Sequence, residues 1–81
     1  MPKLYTLKSN GKASVKMYAD DHRPPHFHLW HPDWEVLVDL KTMAVFRGSA
    51  PKQELAEACA WVAENLEAVE LKWRLLNERD D

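Results

Sequence analysis

Residues 26–40 read HFHLWHPDWEVLVDL, and this stretch decides the predicted fold. Strand-forming residues on both sides of Pro32-Asp33 are typical of two β-strands joined by a tight turn. A two-residue turn fixes the pairing register, because every later residue then has a defined partner. The sequence therefore predicts that His26 lies opposite Asp39 in an antiparallel pair.

A second turn at Lys41-Thr42 extends the pair into a three-stranded meander and places Leu37 opposite Phe46. Because side chains alternate across a strand, this register sorts the residues onto two faces. The aliphatic face, predicted to seat a helix, consists of Phe27, Leu29, Val36, Val38, Leu40, Met43 and Val45. The other face is mixed and consists of His26, His28, Trp30, Glu35, Leu37, Asp39, Ala44 and Phe46. Large apolar groups on an uncovered sheet face indicate a surface that a partner covers, with Trp30, Leu37 and Phe46 as the predicted partner-binding residues.

Upstream of the meander, residues 4–8 and 13–19 flank Ser9-Asn10-Gly11-Lys12. Asn-Gly between two strand-like runs predicts a hairpin, because both residues tolerate positive φ. The two prolines within residues 20–25 lack ladder N–H groups and predict a connecting loop before the third strand. We therefore expect an α+β fold with about five short antiparallel strands, a hairpin plus a three-stranded meander, packed by one long or broken C-terminal helix.

The C-terminal third of the chain predicts that helix. Ser49 is the predicted N-cap, and Pro51 lies in the first turn, where its missing N–H costs nothing. An apolar stripe with spacings of four and three consists of Leu55, Cys59, Val62, Leu66, Val69, Trp73 and Leu76. An unbroken helix would be about 39 Å long, so the sequence predicts either a break near Asn65 or a partner under the overhang. A second seven-residue series consists of Trp61, Ala68 and Leu75. It is either the edge of a wide core face or a dimer seam.

The composition fits a single domain over residues 1–81, with the sheet in residues 1–48 and the helix in residues 50–78. The chain is 46% hydrophobic and 30% charged, which is a globular balance. Its net charge of −2 argues against a dedicated DNA-binding protein, so RNA is only a secondary candidate partner. Cys59 is the only cysteine, and the sequence shows no signal-like or membrane-spanning run, so we expect a cytoplasmic protein.

The four histidines all lie within residues 22–31, which read HRPPHFHLWH. His26 and His28 are two apart on a predicted strand and point to one side, as two imidazoles must if they bind one metal ion. His22 or Asp39 could supply a further ligand. The predicted metal set is therefore His22, His26, His28 and Asp39, and it suits zinc or another divalent metal. Asp39 could instead accept the second ring proton of His26.

Two other roles remain open for the same cluster. The histidines could be structural and bond backbone groups that the neighbouring prolines leave unpaired. They could also perform acid–base chemistry on a phosphodiester, with His22, His26 and His28 moving protons and Arg23 stabilising phosphate charge.

Residues 17–28 read MYADDHRPPHFH, and Gly48, Pro51, Trp61 and Trp73 follow downstream. With these features the chain resembles, over nearly its whole length, a family of small, mainly bacterial proteins catalogued as domain of unknown function 4160. The family has no established biochemical function, so the resemblance implies no activity. Its members are often encoded beside another small protein, in an arrangement similar to toxin–antitoxin pairs, and this implies a partner protein.

The leading hypothesis is therefore a cytoplasmic interaction protein, one component of a two-gene, toxin–antitoxin-like bacterial module. Its sheet face and overhanging helix would bind a small partner protein or form a homo-oligomer. The alternative is a histidine-based or metal-assisted hydrolase or ribonuclease that uses the His22, His26 and His28 cluster.

Overall fold

The computed structural model describes residues 3–18 and 24–77. Its elements are β1 (Lys3–Thr6), β2 (Ser14–Lys16), β3 (His26–His31), β4 (Trp34–Asp39), β5 (Val45–Gly48), α1 (Lys52–Glu64) and α2 (Leu66–Asn77). The strands form one antiparallel sheet in the order β1-β2-β3-β4-β5, which confirms the predicted α+β class. That residues 1–81 form a single domain stays a prediction.

The hairpin of β3 and β4 has the predicted register at all six pairs, from His26 opposite Asp39 to His31 opposite Trp34. The turn is held by His31, whose Nδ1 accepts the Asp33 N–H at 3.0 Å. The His31 ring also stacks on Trp34, with ring centroids 4.8 Å apart and an interplanar angle of 5°. His31 therefore stabilises the turn that sets the register of the sheet.

The pairing of β4 with β5 departs from the prediction after one pair. Val38 pairs with Val45 as expected, but Leu37 pairs with Arg47, and a register shift leaves Phe46 between the two positions. Such a bulge adds one residue to one strand and bends it. The prediction of Leu37 opposite Phe46 is therefore wrong, because a strictly alternating ladder was assumed.

The edge strand β5 ends at Gly48, which has φ +78° and pairs with Val36. A Cβ atom at this position would clash with the backbone carbonyl of Glu35. All four residues of β5 are exposed, including Val45, which was predicted to lie under the helix. That prediction is wrong, because β5 is the edge strand and its side chains are left uncovered.

The first hairpin forms as predicted, but its strands are shorter and its connection is longer. Leu7 N–H donates to the Ala13 carbonyl at 3.0 Å, and Ala13 N–H donates to the Asn10 carbonyl at 2.9 Å. Asn10 and Gly11 do not adopt the positive φ that motivated the prediction. The Asn10 side chain instead accepts the Lys12 N–H at 3.1 Å, which makes an Asx turn.

Helix α1 begins one residue after Pro51, which is the N-cap with φ −59° and ψ 144°. The prediction of Ser49 as N-cap is wrong, and no side chain caps this helix. The extended ψ of Pro51 keeps it outside the helix. Ser49 therefore lies two residues before the N-cap position.

The predicted break near Asn65 is confirmed. Asn65 has φ −118° and ψ 27°, and its backbone N–H contacts the carbonyls of Trp61 and Val62, each at 3.1 Å. Its side-chain Nδ2 also donates to the Trp61 carbonyl at 2.8 Å. Its own carbonyl accepts the Val69 N–H at 3.0 Å, so Asn65 both ends α1 and begins α2.

The core lies between the sheet and the two helices. Its buried hydrophobic residues are Leu7, Ala13, Val15, Met17, Phe27, Leu29, Val36, Val38, Leu40, Ala58, Val62, Val69 and Trp73. The predicted helix stripe therefore faces the sheet, with Leu55, Cys59, Leu66 and Leu76 packed partly buried against this core. Trp61 of the second series stacks on Tyr5 at 4.8 Å, but Ala68 and Leu75 are exposed. A core face wide enough to include Ala68 and Leu75 is therefore wrong.

Candidate functional site

His26 is buried rather than displayed on an open face. It is 3% exposed, and its ring centroid lies 5.2 Å from that of Trp73 and 5.4 Å from that of Phe46. Helix α2 reaches the end of the sheet, where Asn77 Nδ2 donates to the Tyr18 carbonyl at 3.0 Å. The prediction placed His26 on the correct strand face but missed that Trp73 covers it.

The ring of His26 bonds the backbone, as the structural alternative expects. Its Nδ1 lies 2.7 Å from the Pro24 carbonyl oxygen, which can only accept, so Nδ1 carries the hydrogen. Nε2 is also buried. This hydrogen bond holds the Pro24 carbonyl against the first residue of β3.

His28 lies on the same side of β3, and its ring centroid is 5.1 Å from that of His26. Its Nδ1 donates to the Glu35 carboxylate at 2.8 Å. The Tyr18 ring meets it edge-on, with centroids 4.6 Å apart. His28 therefore lies between an acid and an aromatic ring, and its side chain is 12% exposed.

Asp39 pairs with His26 in the backbone ladder, as predicted, but its carboxylate serves the next turn. Its Oδ1 accepts the N–H groups of Lys41 at 2.7 Å and of Thr42 at 3.1 Å. Its backbone carbonyl accepts the Met43 N–H at 2.8 Å, and Met43 has φ +59°. Asp39 thus organises the five-residue loop of residues 40–44, where the sequence predicted a two-residue turn.

The predicted zinc set does not assemble within the part of the chain that the structure describes. Residues 3–18 and 24–77 contain no group of three His, Cys, Asp or Glu side chains arranged to hold a metal ion. Only His26 and His28 are brought together. His22 and Arg23, predicted as metal-ligating or catalytic residues, lie outside the described residues.

The sheet face that carries His28 has both polar and apolar side chains. We call it the open face, and it consists of Lys16, Tyr18, His28, Trp30, Glu35, Leu37, Phe46 and Arg47. The ladder aligns Lys16, His28, Leu37 and Arg47 in one row across four strands. Lys16 Nζ lies 4.1 Å from the ring centroid of Trp30, which is a cation–π contact.

The three predicted partner-binding residues all lie on this open face, but they differ in exposure. Phe46 is 47% exposed, whereas Trp30 and Leu37 are partly buried. The bulge explains the exposure of Phe46, because it turns this residue out of the regular ladder. The open face is therefore most apolar and most accessible at its β5 edge, at Phe46.

Sequence reasoning missed Lys16, Tyr18 and Arg47 as members of the open face. The pairing of β2 with β3 places Lys16 opposite His28, and no turn in the sequence fixes that register. Arg47 enters the face only because the bulge shifts it by one position. Neither feature has a signal in the residues themselves.

A separate cluster centres on Glu57 of α1, and the sequence did not indicate it. The Glu57 carboxylate accepts the Tyr5 hydroxyl at 2.7 Å, the Lys8 N–H at 2.7 Å, the Ser9 hydroxyl at 2.5 Å and the Ser9 N–H at 3.1 Å. Hydrogen bonds from Ser9 and Tyr5 lower the pKa of Glu57 from 4.5 to about 2. The hydrogen bond between the Tyr5 hydroxyl and the Glu57 carboxylate also raises the pKa of Tyr5. These donors belong to one hairpin, so the cluster anchors that hairpin to the helix.

A small cavity of about 170 Å³ lies beside the end of β4 and is lined by Pro25, Leu40, Lys41, Glu70, Trp73 and Arg74. Neither His26 nor His28 lines it. Of the described residues, His26 and His28 therefore do not form one catalytic pocket with this cavity. In the described part of the chain, neither helix has the length and apolar character needed to cross a membrane.

Comparisons with known proteins identify a family but no activity. A sequence model of the family described as "Domain of unknown function (DUF4160)" matches residues 13–74, which run from the start of β2 into α2. No curated protein and no solved structure matches the chain. Because the match covers well over half of the chain, the protein belongs to the domain of unknown function 4160 family.

Proposed function

We propose that this protein is an interaction component and that its open face binds a small partner protein. The exposure of Phe46 carries this proposal, because a phenylalanine that is 47% exposed stands among partly buried apolar residues of one sheet face. Aromatic side chains on such a surface are frequent binding hot spots, since burying them removes a large apolar area from water.

The shape of the β5 edge favours docking by side chains. An edge strand can accept a further strand through its free backbone groups. Here the bulge at Phe46 and the positive φ of Gly48 distort the edge, so a regular ladder of hydrogen bonds is disfavoured. The partner would instead cover Phe46 and Leu37 with its own apolar side chains.

The charges of the open face set the chemistry of that partner. Lys16 and Arg47 stand at the two ends of the cross-strand row, and Leu37 lies between them. Among residues 3–18 and 24–77, Glu35 is paired with His28, and neither Lys16 nor Arg47 forms an ion pair with an acidic side chain. The complementary surface has an apolar centre with acidic groups at its rim.

The finer proposal is that the partner is the small protein encoded by the neighbouring gene, in a cytoplasmic, toxin–antitoxin-like bacterial module. The gene arrangement common in the family supports this identity, and the open face supplies a surface for it.

The hydrolase or ribonuclease alternative has weaker support. His26 is 3% exposed, and the Nδ1 atoms of His26 and His28 are engaged by Pro24 and Glu35.

Isothermal titration of the purified protein with its neighbour's gene product tests the proposal. Phe46→Ser should weaken binding by about thirtyfold or more, because a hot-spot aromatic contributes about 2 kcal/mol or more. Leu75→Ser is the matched control, since Leu75 is 65% exposed on α2 and lies outside the open face. Circular dichroism should show both variants folded. No binding by the wild-type protein, or equal binding by Phe46→Ser, would overturn the proposal.

A further inference from the structure

Helix α2 has an apolar stripe on the side that faces away from the sheet. Val69 and Trp73 point into the core, whereas Leu71 and Leu75 are 48% and 65% exposed. Ala68 is also exposed, and the spacing 68, 71, 75 places the three side chains on one face of the helix. We call this surface the outer stripe of α2. None of its residues belongs to the open face.

The charges beside the outer stripe are acidic towards the N-terminal end of α2, at Glu67, and basic towards its C-terminal end, at Lys72 and Arg74. Glu67 lies in the first turn of α2, and Arg74 lies in the last turn. Glu67 is four residues before Leu71, and Arg74 is three residues after it, so both charges flank the centre of the stripe. The acidic end of the helix is therefore the N-terminal end, and the basic end is the C-terminal end.

From this pattern we infer that the outer stripe binds the outer stripe of a second copy of this chain, with the two α2 helices antiparallel. In that arrangement Glu67 of each copy meets Arg74 of the other, and the small Ala68 faces the large Leu75. A twofold axis through the centre of the contact repeats both pairings, as a symmetric homodimer requires.

The self-complementary pattern is what selects a second copy as the occupant. A parallel arrangement would place Glu67 against Glu67 and Arg74 against Arg74, which is repulsive. The antiparallel arrangement also opposes the two helix dipoles favourably. Because α2 has 12 residues and is about 18 Å long, the buried area is small and the dimer is weak, in the micromolar range.

Sedimentation velocity of the full chain, from about 10 µM to about 500 µM, tests the inference. The wild-type protein should shift from monomer to dimer over this range. Leu71→Asp with Leu75→Asp should remain monomeric at all concentrations, and circular dichroism should show it folded because both residues are exposed. Ala60→Asp, an exposed position on α1, is the control and should dimerise as the wild type does.

A charge exchange tests the antiparallel geometry without removing apolar contacts. Glu67→Arg and Arg74→Glu should each weaken self-association about tenfold, because two symmetry-related attractions become repulsions. Mixing equal amounts of these two variants should restore association, since every contact between positions 67 and 74 in the mixed dimer again joins a basic and an acidic side chain. A wild-type protein that stays monomeric overturns the inference. A dimer insensitive to the Leu71 and Leu75 changes, or a mixture that associates no better than its components, overturns it as well.

Discussion

Glu57 joins the first hairpin to α1 through a single carboxylate. Its four hydrogen bonds come from Tyr5, Lys8 and Ser9. Lys8 and Ser9 lie in the connection between β1 and β2, which is longer than predicted. Tyr5 adds a stacked contact with Trp61, so the hairpin is fixed by one polar and one aromatic contact. At this scale, one side chain anchors the first hairpin to α1.

The depressed pKa of Glu57 makes the stability of the fold pH-dependent. Its pKa falls from 4.5 to about 2, so its contribution is present above about pH 4.5 and is lost as the pH falls towards 2. Glu57→Gln should lower the free energy of unfolding at pH 7, and this deficit should shrink progressively below pH 4.5. Urea unfolding between pH 7 and pH 2 measures it. Glu64→Gln, the same change at an exposed position of the same helix, is the control.

His26 is expected to act as a structural residue. It is 3% exposed, contacts Trp73 and bonds the Pro24 carbonyl, so His26→Ala removes packing and a buried hydrogen bond. The free energy of unfolding should fall by about 2–4 kcal/mol. His28→Ala should cost less, because its bond to Glu35 is more exposed. Chemical denaturation of both variants measures the difference, and a fully stable His26→Ala would contradict this role.

At the scale of elements, the junction between β5 and α1 depends on Gly48. Its φ of +78° and its contact with the Glu35 carbonyl leave no room for a side chain. Gly48→Ala should therefore destabilise the protein by about 2 kcal/mol or more. Gly11→Ala is the matched control, because a Cβ there meets nothing within 4 Å and its φ is not positive. Thermal unfolding that shows equal effects of the two changes would contradict this account of the β5 edge.

Local sequence signals predicted most of the strands and helices, but they did not predict the loop after β4 or the bulge in β5. Pro32-Asp33 fixed the register of β3 and β4 because a two-residue turn leaves no freedom. Of the two outcomes expected for a helix longer than the sheet, a break near Asn65 or a partner under the overhang, the structure shows the break. The loop after β4 was predicted too short, since the carboxylate of Asp39 caps a longer one. The bulge at Phe46 lies beyond the Val38–Val45 pair, and no turn residue in the sequence indicates it.

At the scale of the whole molecule, the described residues leave an apolar surface exposed on the sheet and another on α2. The open face carries Phe46 and the basic residues Lys16 and Arg47, and the outer stripe of α2 carries Leu71 and Leu75. The first suits a different protein, and the second suits another copy of this chain. The two proposals therefore fail or succeed independently, since no residue belongs to both surfaces.

The candidate site was predictable from the sequence only in part. Alternation along β3 and β4 correctly placed Trp30 and Leu37 on one face with His28. The burial of His26 was not predictable, because it depends on Trp73, which lies 47 residues away in the chain. Contacts of this range follow from how α2 packs against the sheet end, and no local pattern encodes them.

The central claim is that the open face is the partner-binding surface. Its most direct test is a nuclear magnetic resonance titration of the ¹⁵N-labelled protein with the small protein encoded by the neighbouring gene. If the open face binds the partner, the shift changes should be concentrated at Phe46, Arg47, Leu37 and the Trp30 indole N–H. Changes confined to the first hairpin and α1, or no changes at saturating partner, would contradict it.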